Sequence, residues 1–93
     1  YEDDELLVFH DIHPWAPVHV LVVPKLHVAT LADVGPEHEP LLGRMLALAP
    51  ALMRQLGVAN GFRVVVNNGR DGGQEVFHLH MHVMGGPRPW ARG

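Results

Sequence analysis

The sequence predicts an α+β fold in which one long helix covers one face of an antiparallel sheet. Three observations favour this class. Short β-branched segments are bounded by proline, glycine and asparagine, one stretch has helical periodicity, and one segment alternates strictly between polar and apolar residues. The 93 residues suffice for one small domain, which we assign to residues 1–93.

Composition limits the classes of function. Apolar residues make up 47% and charged residues 18%, as is typical of a globular chain. The net charge of −3 argues against a basic nucleic-acid surface, and no apolar run approaches the roughly 20 residues of a membrane span. We therefore expect a cytoplasmic protein with neither a nucleic-acid nor a membrane partner. The absence of cysteine excludes a disulfide framework, a thiolate zinc site and a cysteine nucleophile among these residues.

The first half of the chain predicts two strands. Residues 5–10 form a short apolar segment that runs into a proline-containing loop. Residues 18–23 form a β-branched run that Pro24 closes. The acidic residues 2–4 are typical of a hairpin turn, so we expect a further strand upstream, in a natural chain longer than this one.

Residues 35–57 predict the one long helix. Eight apolar residues follow the i, i+3, i+4 spacing of a single buried face: Leu41, Leu42, Met45, Leu46, Ala49, Leu52, Met53 and Leu56. Pro36 suits the first turn, and Gly57 suits the position just after the last turn. Pro50 removes one hydrogen bond and is expected to kink the helix. We expect one helical turn in the connection 25–34 that precedes it.

Two further strands are predicted after the helix. Residues 62–67 form the third strand and residues 76–84 the fourth, with the glycine-rich loop 68–73 between them.

Three histidines alternate with apolar residues in the fourth predicted strand. On a strand, His78, His80 and His82 would line one face at intervals of about 6.5–7 Å. The apolar residues would face the helix: Phe77, Leu79, Met81 and Val83. Three adjacent imidazoles are costly to arrange for stability alone, because each neutral ring needs a donor and an acceptor and the charged forms repel. The pattern therefore indicates a functional site.

Two kinds of site fit the histidines. His-x-His on a strand is a zinc geometry, but the only nearby carboxylate is Glu75, which the alternation places on the other face. The alternative is an anion site with a histidine nucleophile, in which the glycine-rich loop brings backbone N–H groups close to a phosphate. We favour the anion site. The remaining histidines are interpreted as structural or surface residues: His10, His13, His19 and His38.

The segment 78–84, His-Leu-His-Met-His-Val-Met, resembles the signature of the histidine-triad (HIT) superfamily. Further segments resemble its Hint branch, and they lie at residues 9–19, 22–27, 65–67, 71–74 and 85–86. The resemblance implies a sheet of about five strands, extended across a homodimer. It also implies hydrolysis of purine nucleoside 5′-phosphoramidates, including aminoacyl-adenylate-like adducts, with no cofactor and no metal.

The resemblance also implies roles for individual residues. His80 would attack the α-phosphorus and carry a nucleotidyl group. The flanking His78 and His82, with His27 as a fourth histidine, would orient the nucleophile and place positive charge beside the phosphate. The implied substrate-binding residues hold the phosphate, the leaving group, the ribose hydroxyls or the base: Asn67, Gly73, Gln74, Asp11, Phe9, Ile12 and Leu21. Glu75, which stands where animal Hint proteins carry serine, joins this set.

Three other functions remain open at this point. The chain could be a nucleotide-binding regulatory module without catalysis, a metal-binding protein, or a dinucleoside polyphosphate hydrolase of the same superfamily. Gly85 and Gly86 after the triad favour the Hint branch over the last. Trp90, in the tail, is a packing residue or reaches the partner subunit's site.

Overall fold

The computed structural model describes residues 1–91 and contains one four-stranded antiparallel sheet and one α-helix. The elements in chain order are β1 (Leu6–His10), β2 (Val18–Pro24), α1 (Glu39–Gln55), β3 (Phe62–Val65) and β4 (Met81–Gly85). The strands lie in the order β1-β2-β4-β3, and every neighbouring pair is antiparallel. The α+β class is confirmed. The described residues form four strands, where about five were expected.

The helix is shorter than the sequence predicts. It begins at Glu39, because residues 36–38 form a separate 3-10 turn in which the His38 N–H bonds to the Gly35 carbonyl at 2.9 Å. It continues through Pro50 and ends at Gln55. A second 3-10 turn, Leu31–Asp33, supplies the helical turn expected in the preceding connection.

The apolar core lies between α1 and one face of the sheet. Helix α1 buries five of the eight residues of the predicted stripe, namely Leu41, Met45, Ala49, Leu52 and Met53. Of the other three, Leu42 is partly buried against this core, whereas Leu46 and Leu56 are exposed, which corrects the prediction. From the sheet, Val20 and Val22 of β2 and Met81 and Val83 of β4 face this stripe. Because side chains alternate along a strand, the neighbouring His82 must project from the opposite face. The sheet face away from the helix is therefore the face that carries chemistry.

Strand β4 begins at Met81, five residues later than predicted. Its pairing ends there, because Val22 is the last residue of β2 that pairs with β4, at Met81, and the last residue of β3, Val65, pairs with His82. Beyond Val22, strand β2 pairs only with β1. Residues 76–80 therefore approach the sheet without joining its ladder, and Phe77 is 49% exposed instead of packing under the helix. His78 and His80 do not lie on a strand, which corrects the regular three-histidine row. Within residues 1–91, no helix has both the length and the hydropathy needed to cross a bilayer.

Candidate active site

A cleft of about 730 Å³ opens on the sheet face away from the helix. Its lining combines imidazoles, carboxylates, an amide and apolar groups: Asp11, His13, Trp15, Leu21, Asn67, Gly73, Glu75, Val76, His80 and His82. A second cleft of about the same volume lies between residues 57–63 and the tail. The described residues around that second cleft include no histidine or carboxylate. The first cleft is therefore the candidate active site.

His80 presents a bare ring nitrogen for attack. Its Nδ1 atom lies 2.8 Å from the main-chain oxygen of His78. A carbonyl oxygen only accepts hydrogen bonds, so Nδ1 must carry the proton. In the neutral ring, Nε2 then holds the lone pair that a nucleophile requires. His80 is half-buried and lines the cleft.

His82 is a buried, neutral imidazole rather than a cation. Its side chain is buried, stacks on the Trp15 ring with centroids 5.5 Å apart, and bonds to His19 through Nδ1 at 2.9 Å. Burial, and to a smaller extent the neighbouring His19 and His80 rings, lower the pKa of His82 to about 4, although the Asp11 carboxylate acts in the opposite direction. The expectation that His82 supplies positive charge is therefore wrong, because desolvation disfavours the imidazolium.

His19, which the sequence analysis interpreted as a structural or surface residue, contacts the cleft residue His82. It is 2% exposed, accepts a hydrogen bond at Nδ1 from the Trp15 N–H (3.0 Å), and contacts His82 through Nε2. Burial lowers its pKa, although the Asp11 carboxylate acts in the opposite direction. One available signal was its isolation as the single polar residue in the apolar run 18–23.

Asp11, His19 and His82 also form a group of metal-ligand type. One ligand atom from each lies within 4.8 Å of the others. The hydrogen bonds argue against this use. His19 Nδ1 already accepts from the Trp15 N–H, so neutral His19 carries its proton on Nε2, the atom that would have to bind the ion. A hydrogen-bonded chain describes these groups better than a metal centre.

His78 and His27 form a separate pair outside the cleft lining. Their rings meet edge to face with centroids 5.0 Å apart. His78 Nε2 donates to the Pro24 carbonyl at 2.7 Å, and His27 Nε2 lies 3.3 Å from the Phe77 carbonyl. These contacts tie the segment before β4 to the end of β2. The imidazole of His78 braces this segment, whereas its carbonyl orients His80.

Asp11 lies directly after β1 and uses its two carboxylate oxygens differently. Oδ1 accepts from the His13 N–H at 2.8 Å, which stabilises the turn, and Oδ2 lies 3.7 Å from His19 Nε2. Its carboxylate also lines the cleft, as expected for a residue that binds a diol. Asp11 therefore both stabilises the turn after β1 and lines the cleft.

Of the three apolar residues predicted to hold a base, only Leu21 lines the cleft. Strand pairing places Phe9 beside Leu21 and Leu21 beside His82, so these three form one row across the sheet. Leu21 lines the cleft, Phe9 lies outside the lining, and Ile12 is 86% exposed and also outside it.

The glycine-rich loop is held by Gln74 rather than by a ligand. The Gln74 side chain accepts from the Gly69 N–H at 2.8 Å and donates to the carbonyls of Ala29 (2.7 Å) and Val76 (3.0 Å). The N–H groups of Gly73 and Gln74 donate to carbonyls inside the loop, so the expectation that they are free for a phosphate is not met.

The structure thus brings together part of the predicted set. Seven predicted residues line one cleft: His80, His82, Asp11, Asn67, Gly73, Leu21 and Glu75. The other five lie outside its lining: His78, His27, Gln74, Phe9 and Ile12. Besides His19, which contacts His82, sequence reasoning missed three residues of the lining, namely His13, Trp15 and Val76.

Comparisons with known proteins identify the family of this chain. The HIT domain family matches residues 1–88. Protein HitA of Neisseria gonorrhoeae is 51% identical, with 94% of this chain and 81% of that protein covered. The purine nucleoside phosphoramidase of Escherichia coli K12 is 47% identical, with 92% and 73% covered. The crystal structure of a HIT family hydrolase from Legionella pneumophila superposes with a TM-score of 0.91 at 43% identity, with 95% of this chain and 80% of that chain covered. The chain therefore belongs to the HIT domain family.

Proposed function

We propose that this chain is a nucleotide-binding hydrolase that cleaves the P–N bond of purine nucleoside 5′-phosphoramidates. The observation that carries the proposal is the His80 ring, whose protonated Nδ1 leaves Nε2 as a nucleophile inside the cleft. The 47% identity to a protein named purine nucleoside phosphoramidase supports this reaction over other hydrolyses.

The reaction proceeds in two displacements at phosphorus. His80 Nε2 attacks the α-phosphorus, the P–N bond breaks, and the leaving nitrogen takes a proton from solvent and departs as an amine. Water then attacks the nucleotidyl-His80 intermediate, which releases the nucleoside monophosphate, a proton and free His80. Neutral His82 donates a hydrogen bond toward the negative phosphoryl oxygens, and it needs no charge of its own for this.

The remaining cleft residues bind the substrate. The carboxylate of Asp11 accepts hydrogen bonds from the ribose hydroxyls, and the Leu21 side chain contacts the base. Asn67 donates from its amide to a phosphoryl oxygen. Glu75 lies in the lining on the loop side, where it meets the leaving group.

Single-site variants test the proposal. We expect His80→Ala and His80→Gly to lose turnover of adenosine and guanosine 5′-phosphoramidates by at least about 10³-fold, while a nucleoside monophosphate still binds in calorimetry. His10→Ala changes an exposed histidine outside the cleft and serves as the control. Retained turnover in the His80 variants would overturn the proposal.

The same assay separates the alternative functions. A regulatory module would bind the nucleotide but release no amine, and a dinucleoside polyphosphate hydrolase would prefer that substrate to the phosphoramidates. We propose that the reaction needs no metal, so a chelator should leave the rate unchanged. A nucleotide substrate also favours a cytoplasmic location, which cell fractionation would test.

We propose a homodimer whose sheets join across the β3 edge. Strand β3 lies at the edge of the sheet, and its first residue, Phe62, has an exposed apolar side chain. Trp90 packs within its own chain. The guanidinium carbon of Arg88 lies 3.6 Å from the centroid of the Trp90 ring, and the indole N–H donates to the Gly86 carbonyl. Light scattering coupled to size-exclusion chromatography tests the dimer.

A further inference from the structure

The candidate active site contains a carboxylate that no described group neutralises. Glu75 lines the cleft with an exposed side chain, and its carboxylate makes no hydrogen bond or ion pair with any other residue of 1–91. The other carboxylate of the lining, Asp11, accepts a hydrogen bond from the His13 N–H at 2.8 Å. The lining includes no lysine and no arginine. Its permanent charge is therefore negative, although the proposed substrate brings an anionic phosphoryl group.

Five of the basic side chains are engaged elsewhere. Three form ion pairs with carboxylates outside the lining, namely Lys25 with Glu2, Arg44 with Asp3 and Arg70 with Asp71. Two more, Arg63 and Arg88, lie against the Trp90 ring at the second cleft. None of these five groups offers Glu75 a counter-ion, so a cationic group on a bound molecule can take that place.

Glu75 and Asp11 lie at opposite ends of the cleft. Asp11 lies beside the beginning of β2, because its N–H donates to the carbonyl of the second residue of that strand at 2.9 Å. Strands β2 and β4 pair from that end as far as Met81, and residues 76–80 continue past the other end of the ladder. With the ribose at Asp11 and the phosphorus at His80, as proposed above, the leaving amine extends toward Glu75.

We propose that Glu75 is a specificity residue that ranks phosphoramidates by the charge of the leaving amine, favouring a cationic group and disfavouring an anionic one. A carboxylate at an exposed site attracts a cation, or repels an anion, with an energy that changes a rate constant by up to about fivefold. The neighbouring Val76, which is 63% exposed in the lining, offers an apolar contact to the alkyl part of any such amine. This inference rests on the proposed phosphoramidate hydrolysis and names the class of amine, which is one with a second, protonated amino group.

Three adenosine 5′-phosphoramidates of matched length provide the test. Their amines are 1,4-diaminobutane, which ends in a cation, n-pentylamine, which is neutral, and 4-aminobutanoate, which ends in an anion. For the wild-type protein at low ionic strength, we expect kcat/KM of the cationic amine to lie about fivefold above that of the neutral one, and kcat/KM of the anionic amine about fivefold below it. The three values should converge in about 0.5 M salt, because salt screens exposed charges.

Substitutions at position 75 separate charge from packing. Glu75→Gln keeps the size of the side chain and removes its charge, so we expect the three kcat/KM values to fall within about twofold of one another. Glu75→Lys reverses the charge and should invert the order of the three amines. The ratio of the kcat/KM values is the quantity compared, because a general disturbance of the cleft lowers all three alike. Both variants should fold, since the Glu75 side chain is exposed and makes no described hydrogen bond.

The control and the possible outcomes keep the two proposals apart. Asp71→Asn removes the charge of a carboxylate that is 93% exposed and outside the lining, and it should keep the wild-type order. Equal kcat/KM values for the three amines in the wild-type protein, or a wild-type order that persists in Glu75→Gln, would overturn the charge selection and leave the proposed hydrolysis standing. If the wild-type protein turns over none of the three substrates, the proposed function is wrong and the selection at Glu75 is wrong with it.

Discussion

The Nδ1 atom of His80 takes its partner from the backbone of His78, at 2.8 Å, and not from the His78 imidazole. The His78 ring points elsewhere, because its Nε2 donates to the Pro24 carbonyl. A main-chain oxygen thus sets the tautomer of the proposed nucleophile. The identity of the side chain at position 78 should therefore matter for stability more than for chemistry.

Substitution of His78 tests this division. We expect His78→Leu to lower the free energy of unfolding by about 1 kcal/mol, through loss of the bond to Pro24, and to reduce kcat less than tenfold. His78→Gln can still donate and should stay closer to wild type. Urea unfolding and steady-state kinetics measure both effects. A His78→Leu rate as low as that of His80→Ala would show that the imidazole itself takes part in the reaction.

Acid should destabilise the fold through His82. Its folded pKa of about 4 lies below the ordinary 6.5, so the unfolded chain binds the proton more readily. The neutral His82 ring makes its full contribution to the free energy of unfolding above about pH 6.5. As the pH falls from there to 4, the free energy of unfolding decreases by up to about 3 kcal/mol. The groups that face this ring are Trp15, His19, His80 and Asp11.

Chemical denaturation at pH 7.5 and pH 4.5 measures this contribution to the free energy of unfolding. His82→Gln removes the titrating group, so its stability should fall less between the two pH values than that of wild type. Carboxylates contribute equally to both proteins and cancel in the comparison. An equal fall in both proteins would contradict the lowered pKa.

Gln74 should be a structural residue of the glycine-rich loop. Gln74→Leu removes one acceptor and two donor contacts of a buried side chain, and we expect it to cost about 2–3 kcal/mol of unfolding free energy. KM should also rise, because the same loop carries Gly73 and Glu75 into the cleft. Asp71→Asn, at a side chain that is 93% exposed, is the control and should change neither quantity.

Two glycine substitutions should act in opposite directions. A Cβ at Gly43, on the exposed side of α1, meets nothing within 4 Å, so Gly43→Ala should raise the unfolding free energy by about 0.5–1 kcal/mol. A Cβ at Gly72 would lie 2.3 Å from the Asn68 carbonyl oxygen. Gly72→Ala should therefore lower the unfolding free energy by about 1–3 kcal/mol, because the loop backbone must shift. Thermal unfolding of the two variants beside wild type provides the comparison.

Local pattern was enough to predict the elements and the faces they present. Five of the eight residues of the predicted helical stripe are buried in the core, and the alternation of Met81, His82 and Val83 holds along β4. The prediction was wrong upstream, where residues 76–80 leave the ladder although their sequence alternates equally well. An alternating sequence shows which side chains would share a face of a strand. It does not show where hydrogen bonding to the neighbouring strands stops.

The sequence by itself determined that a histidine-rich segment follows a glycine-rich loop and that one helix covers an antiparallel sheet. Only the tertiary structure decided which histidines meet. Pairing of β2 with β4 brings His19 to His82, while His78 and His27 turn away as a second pair. The proton positions also depend on backbone carbonyl and N–H groups, which nearly every residue type supplies alike, so no residue pattern could reveal them.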